Sequence, residues 1–106
     1  MTPGASAFSK TILSLYLDLP DTPNRVSAFD RRVAQQLHSR RVPLSAIEAA
    51  LLLASARRRF RSPAPTPLTP IRSLAYFLPV IDEVLRRPLP PAYVDYLRAK
   101  ALTPAP

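Results

Sequence analysis

The sequence contains no cysteine, one histidine and one glycine among its 106 residues. Without cysteine there are no disulfides, no thiolate metal sites and no cysteine nucleophile. The single histidine, His38, leaves little from which to build a histidine metal pair or a Ser-His-Asp triad. One glycine cannot supply the turns of a hairpin-rich β protein or a glycine-rich phosphate loop. We therefore expect an all-α, non-enzymatic protein that needs neither a metal nor a cofactor.

Long apolar runs are also absent. No stretch approaches the roughly 20 residues of a membrane-spanning helix. The first ten residues, MTPGASAFSK, lack the basic region and long apolar core of a secretory signal. We expect a cytoplasmic protein without a membrane contact.

Positive charge and proline are abundant. The chain has 15 basic and 7 acidic residues, 14 prolines and a net charge of +8. Residues 54–106 hold nine of the basic and three of the acidic residues, so most of the surplus lies in the second half. Such a half attracts polyanions. A GC-rich genome would explain the preference for arginine over lysine more readily than it explains the excess positive charge.

The segment VPLSAIEAALLLASARRRFR predicts a helix over about 44–61 that is apolar on most of its circumference. Pro43 suits the start of a helix, and Ser45 with Glu48 has the spacing of a capping box. A helix that is apolar all round is normally buried among other elements. We expect a compact bundle of four to five helices around this central helix.

The segments before the central helix are less regular. Residues 1–9 are expected to be a loose leader, followed by a single helical domain over 10–102. Residues 10–19 alternate like a strand but also fit one helical face, and we interpret them as a short helix. Ser27 can cap the next helix, with Asp30 near its N-terminal dipole. Val26, Phe29, Val33 and Leu37 are its predicted inward stripe. His38 is expected to be on its solvated side.

The second half begins with a proline-rich strap over 62–70, which should be stiff and extended. A helix follows, either starting at Ser73 with a kink or starting later with Pro79 in its first turn. Its predicted inward stripe includes Leu85. Pro91 opens a last short helix with Tyr93, Val94 and Leu97 inward, and residues 103–106 form a tail.

Two acidic residues, Asp82 and Glu83, lie next to each other on the predicted fourth helix. Adjacent residues diverge on a helix, so these two carboxylates cannot act on one substrate as a catalytic pair. We expect them to form ordinary ion pairs with Arg86 and Arg87. No other catalytic constellation is evident.

The pattern of apolar residues over 34–51 resembles that of a helix-turn-helix unit. Its turn is longer than usual and lacks glycine. The would-be recognition helix begins LSAIEAA, which offers no bidentate contacts to bases in the major groove. Contact with the phosphate backbone is the better interpretation, because arginine clusters bind phosphates without reading sequence. The predicted nucleic-acid-binding residues are Arg57, Arg58, Arg59, Arg61, Arg72, Arg40 and Arg41.

A family resemblance covers about residues 40–86. Val42, Pro43 and Ile47, followed by Tyr76, Phe77 and Ile81, resemble the DnaD-like helical domains of plasmid and phage replication proteins. In that group a G-[IV]-P helix precedes a helix with a Y-[FI]-x-x-[VI]-[IL] core; Arg41 stands here in place of the glycine. The resemblance implies work on DNA in replication or mobile-element maintenance.

The sequence thus favours a nucleic-acid-binding helical protein acting within a larger nucleoprotein complex, with DNA or RNA as its ligand. Tyr76, Tyr93 and Tyr96 are candidates for stacking on bases, although packing or surface roles are the more ordinary ones. The competing class is a small protein–protein interaction subunit, or an inhibitor or antitoxin that docks an acidic partner.

Overall fold

A computed structural model describes residues 4–19, 22–23, 25–59 and 70–101, apart from the side chains of Ala5, Ser6 and Arg59. These residues form five α-helices, α1 (Gly4–Asp18), α2 (Ala28–Ser39), α3 (Leu44–Arg59), α4 (Leu78–Arg86) and α5 (Pro91–Ala101). A 3₁₀ turn, η1 (Leu74–Phe77), leads directly into α4. The described part contains no strand. The all-α prediction is therefore confirmed.

Helix α3 is the centre of the bundle. It packs against α1, α4 and α5, while α2 packs on α1 and η1. Residues 49–55 of α3 are all buried, which confirms the predicted central helix. Its predicted last residues, 60 and 61, and all but the last residue of the 62–70 strap lie outside the described residues.

The core is a single cluster of apolar side chains. Tyr16 and Phe77 meet edge to face at its centre, with ring centroids 6.0 Å apart. Ile12, Leu51 and Ile81 are fully buried around them. The radius of gyration, 13.9 Å, is close to the roughly 13 Å typical of a compact domain of this length.

Helix α2 has well-defined signals at both ends. At its start, the Ser27 hydroxyl accepts a hydrogen bond from the Asp30 amide, and the Asp30 carboxylate accepts one from the Ser27 amide. At its end, the amides of Arg41 and Val42 donate to the carbonyls of His38 and Leu37, which is the Schellman pattern. The predicted Ser27 cap is confirmed.

Several local predictions are wrong. Helix α1 begins at Gly4, so residues 4–9 are helical and not a loose leader. Ser45 lies inside α3 and is not its cap, because the carbonyl of Pro43 accepts the first helical hydrogen bonds. Phe29, Leu85 and Tyr93, which were predicted to face inward, are exposed.

The start of α4 follows one of the two predicted alternatives. Pro79 lies in the first turn of α4, where its missing N–H has no helical partner to lose. The preceding residues form η1 rather than a kinked α-helix. Pro91 opens α5 as predicted, with the carbonyl of Pro90 accepting from Tyr93 and Val94.

Candidate nucleic-acid interface

The arginines at the end of α3 contact η1 and α4. Arg57 donates two hydrogen bonds to the Glu83 carboxylate, at 3.0 and 2.5 Å. Arg58 donates to the Tyr76 hydroxyl at 3.2 Å, and its guanidinium carbon lies 5.4 Å from the Tyr76 ring centroid. These side chains are therefore turned toward one neighbouring segment.

A second arginine reaches α4 from the other end of α3. Arg40, in the α2–α3 turn, donates to Asp82 at 3.4 Å. Among the described residues the ion-pair partners of Asp82 and Glu83 are Arg40 and Arg57, and the predicted ion pairs with Arg86 and Arg87 are wrong. The two carboxylates diverge from α4 as adjacent helical residues do, which places one toward each of these distant arginines.

Arg86 and Arg87 complete this surface electrostatically. The pKa of Glu83 is lowered, chiefly by the hydrogen bond from Arg57 and further by the charges of Arg57, Arg86 and Arg87. Within the described residues neither Arg86 nor Arg87 has a carboxylate within 4 Å. We call Arg40, Arg57, Arg58, Arg86 and Arg87, together with Asp82 and Glu83, the α4 cluster. It holds five arginines against two carboxylates.

The remaining predicted residues lie outside this cluster. Arg41 is exposed in the α2–α3 turn and has a positive φ of 59°. Arg72 is exposed two residues before η1. Arg59 is the last residue of α3, but its side chain is not among those described, and Arg61 lies outside the described residues altogether.

The sequence interpretation missed Arg86 and Arg87 as candidates because it assigned them to Asp82 and Glu83. The signal that could have found them is the amphipathic pattern of α4. Its buried residues, Ile81 and Val84, define a solvent side on which charges accumulate.

Helix α5 presents two exposed tyrosines beside this surface. Tyr93 and Tyr96 stack with ring centroids 5.9 Å apart and planes 15° from parallel. Lys100 Nζ lies 5.7 Å from the Tyr96 ring centroid. These three residues and Arg57 line one open cavity of about 350 Å³. We call Tyr93, Tyr96 and Lys100 the α5 platform.

Arg57 connects the platform to the α4 cluster. Its pKa is raised, first by hydrogen bonding to Glu83 and then by electrostatic interactions with Glu83 and Tyr93. Tyr93 therefore lies within electrostatic reach of the cluster. Cationic side chains and aromatic rings therefore lie together around this cavity.

The burial of α3 is inconsistent with the helix-turn-helix interpretation. A recognition helix must present its face to the major groove, but α3 is enclosed by α1, α4 and α5. In its first turns Ile47 is fully buried and Glu48 accepts a hydrogen bond from Arg98 at 3.0 Å. Helix α3 is a core helix, with Arg40 just before its start and Arg57 and Arg58 near its end.

Other site chemistry is sparse in the described part of the chain. No group of three His, Cys, Asp or Glu residues could hold a metal ion there. His38 is half-buried, with its ring edge-to-face on Phe8 at 5.0 Å, so it is less solvated than predicted. No helix among the described residues is long and apolar enough to cross a membrane.

A second, apolar groove lies between α3, α4 and α5. It has a volume of about 570 Å³ and is lined by Ala46, Val84, Leu89 and Val94 among others. Its rim carries Arg98, which donates to Glu48 and, at 2.8 Å, to Asp95. The lining of this groove is mostly apolar, unlike the α4 cluster and the α5 platform.

No protein-family model, curated protein or solved structure matches this chain. The positions that carry the resemblance to DnaD-like domains divide in the fold. Val42, Ile47, Phe77 and Ile81 are buried in the core, whereas Tyr76 is exposed.

Proposed function

We propose that this chain is a non-enzymatic nucleic-acid-binding protein that contacts the phosphate backbone through the α4 cluster. The observation that carries the proposal is the convergence of Arg40 and Arg57, from opposite ends of α3, on the short helix that also bears Arg86 and Arg87. Arginines in such a surface bind phosphates by charge and hydrogen bonding.

The ion pairs within the cluster do not oppose this function strongly. The Arg57–Glu83 and Arg40–Asp82 pairs have side chains 40–54% exposed. Exposed ion pairs contribute little to stability, because water screens them. A phosphate can therefore displace the carboxylate from Arg40 or Arg57. Among the described residues Arg86 and Arg87 have no carboxylate within 4 Å, so a phosphate there displaces none.

The biological setting in this proposal is a larger nucleoprotein complex of the replication or mobile-element type. It is based on the resemblance of residues 40–86 to DnaD-like domains. Charge alone supports DNA and RNA equally, since both present the same phosphates.

The test compares two double variants that remove equal charge. We expect Arg86→Gln plus Arg87→Gln to weaken binding to fluorescent single-stranded DNA, duplex DNA or RNA. The slope of log affinity against log salt should become shallower by about 0.7–0.9 per lost phosphate contact. The matched control, Lys10→Gln plus Arg25→Gln, removes two exposed cations from α1 and the connection that follows it.

Fluorescence anisotropy across a salt series measures both quantities, and circular dichroism checks that each variant is folded. A control variant that weakens binding as much as the α4 variant would mean that only net charge matters. No binding by the native protein to any of the three ligands would overturn the proposal.

The second candidate function is docking of a protein partner, and the observation that favours it is the apolar groove. An amphipathic helix of a partner could bury its apolar face against Ala46, Val84 and Val94. A second copy of this chain is one such partner, and sedimentation without nucleic acid would then show a dimer. In that case Ala46→Arg should convert the dimer to a monomer and leave nucleic-acid affinity unchanged.

A further inference from the structure

The α5 platform is an exposed aromatic surface. Tyr93 and Tyr96 are 41% and 54% exposed, and their rings stack on each other rather than pack into the core. Leu97, the neighbour of Tyr96, is buried and fixes α5 against α3. The two rings are therefore presented to solvent from a helix that is itself anchored.

The platform lies between cations. Lys100 lies over the Tyr96 ring, and Arg57 lines the same cavity as both tyrosines. The spacing of Tyr93, Tyr96 and Lys100 along α5 is three and then four residues, which places them on one helical face. Aromatic rings flanked by positive charge match the alternation of base and phosphate along a nucleic-acid strand.

We propose that the α5 platform binds unpaired bases, so that the ligand of this protein is single-stranded nucleic acid. The inference rests on the proposed function, because Arg57 joins the platform to the α4 cluster. A base stacks on the tyrosine rings while the adjoining phosphates contact Arg57 and Lys100.

The physical reason for selecting single strands is access to the base face. In a duplex each base is stacked between its neighbours and offers only its edges, whereas an unpaired base can stack on an aromatic side chain. A ring centroid separation of 5.9 Å leaves no space for a base between the two tyrosines. The base must therefore stack on an outer face of the pair.

The experiment measures binding of short oligo(dT), oligo(U) and a duplex of equal length. Tyr93→Leu plus Tyr96→Leu keeps apolar side chains but removes the rings, and Tyr93→Phe plus Tyr96→Phe keeps the rings. Stacking contributes about 1–3 kcal/mol per base, so the Leu variant should bind the single strands on the order of tenfold or more weakly. The Phe variant should retain nearly native affinity.

A second readout is independent of affinity. The chain has no tryptophan and four tyrosines, so quenching of tyrosine fluorescence by oligo(dT) reports stacking directly. At saturating oligo(dT) the tyrosine emission of the native protein should be quenched. Both the Phe and the Leu variants keep only Tyr16 and Tyr76, so both should show little quenching, and affinity alone distinguishes one from the other.

Two failures are distinguishable. If native protein binds duplex and single strands equally and the Leu variant binds both like native protein, the platform proposal is overturned while the phosphate-binding function stands. If native protein binds none of the ligands, both are overturned. A Leu variant that loses single strands but keeps duplex binding supports the platform.

Discussion

Arg41 occupies a backbone conformation that favours glycine. Its φ of 59° lies in the left-handed region, and its amide closes the Schellman turn after α2. A side chain there costs roughly 1–2 kcal/mol, which is partly offset by the greater freedom of glycine in the unfolded chain.

We expect Arg41→Gly to stabilise the protein by about 0.5–1 kcal/mol because it relieves this strain. Urea unfolding followed by circular dichroism measures the change. Arg41→Ala removes the same charge but keeps a Cβ in the left-handed conformation, so it should give no comparable gain. Equal stabilisation by both variants would assign the effect to charge and not to the backbone.

Tyr16 carries a buried hydroxyl that makes no hydrogen bond to any described residue. Burial raises the pKa of Tyr16 to about 12, with a further contribution from the negative charge of Asp30. The folded state therefore favours the neutral phenol more than the unfolded state, where the pKa is the ordinary 10.0. The associated stability is present below pH 10 and is lost as pH rises toward about 12.

We expect Tyr16→Phe to stabilise the protein by about 1 kcal/mol near neutral pH, because an unpaired buried polar group is removed. The variant should also lose less stability between pH 10 and 12 than the native protein. Urea unfolding at pH 7 and pH 11 measures both effects. Tyr96→Phe, which removes an exposed hydroxyl, is the control and should change stability by less than about 0.5 kcal/mol. A destabilised Tyr16→Phe protein would contradict the unpaired assignment.

At the scale of elements, Asp30 joins α2 to η1. One carboxylate oxygen caps α2 at Ser27, and the other accepts from the Leu74 amide at 2.9 Å. Asp30 is buried, so each bond satisfies a group that water does not reach. This single side chain fixes two segments that are 44 residues apart in sequence.

We expect Asp30→Ala to destabilise the protein by about 2–4 kcal/mol, because it removes a cap and leaves the buried Leu74 amide unpaired. Ser27→Ala removes only the cap and should cost about 1 kcal/mol. Urea unfolding of the two variants measures the difference. Equal losses would mean that the bond to Leu74 contributes nothing.

The elements themselves could largely be predicted from the sequence, because their signals are local. Ser27 and Asp30 give the start of α2, and Pro91 gives the start of α5. The direction in which a side chain points was less predictable where the helical periodicity allows either of two neighbouring residues to face the core. The periodicity of α2 permits Phe29 or Asp30 inward, and the distant bond to Leu74 selects Asp30.

At the scale of the whole molecule, the candidate site could be predicted only in part. The sequence indicated Arg40 and Arg57 as separate patches, since they are 17 positions apart. Their meeting on α4 depends on how α4 crosses α3, which no local pattern encodes. The stacking of Tyr93 on Tyr96 was likewise not predicted, because Tyr93 was expected to face the core.

Charge balance is a property of the whole chain, and it predicts sensitivity to acid. Protonating the seven carboxylates leaves 15 basic residues without compensation. The pKa of Glu83 is lowered below its ordinary 4.5, chiefly by the Arg57 hydrogen bond. Its stabilising contribution is therefore present above pH 4.5 and is lost as pH falls through the lowered value.

We expect the unfolding temperature to fall between pH 5 and pH 3, and added salt to restore part of it by screening repulsion among the arginines. Glu83→Gln should be less stable than the native protein at pH 7 and equal to it once Glu83 is protonated. Thermal unfolding of both proteins at a series of pH values measures this convergence. A stability difference that persists unchanged in acid would show that the Arg57–Glu83 pair does not hold α4 to α3 by charge.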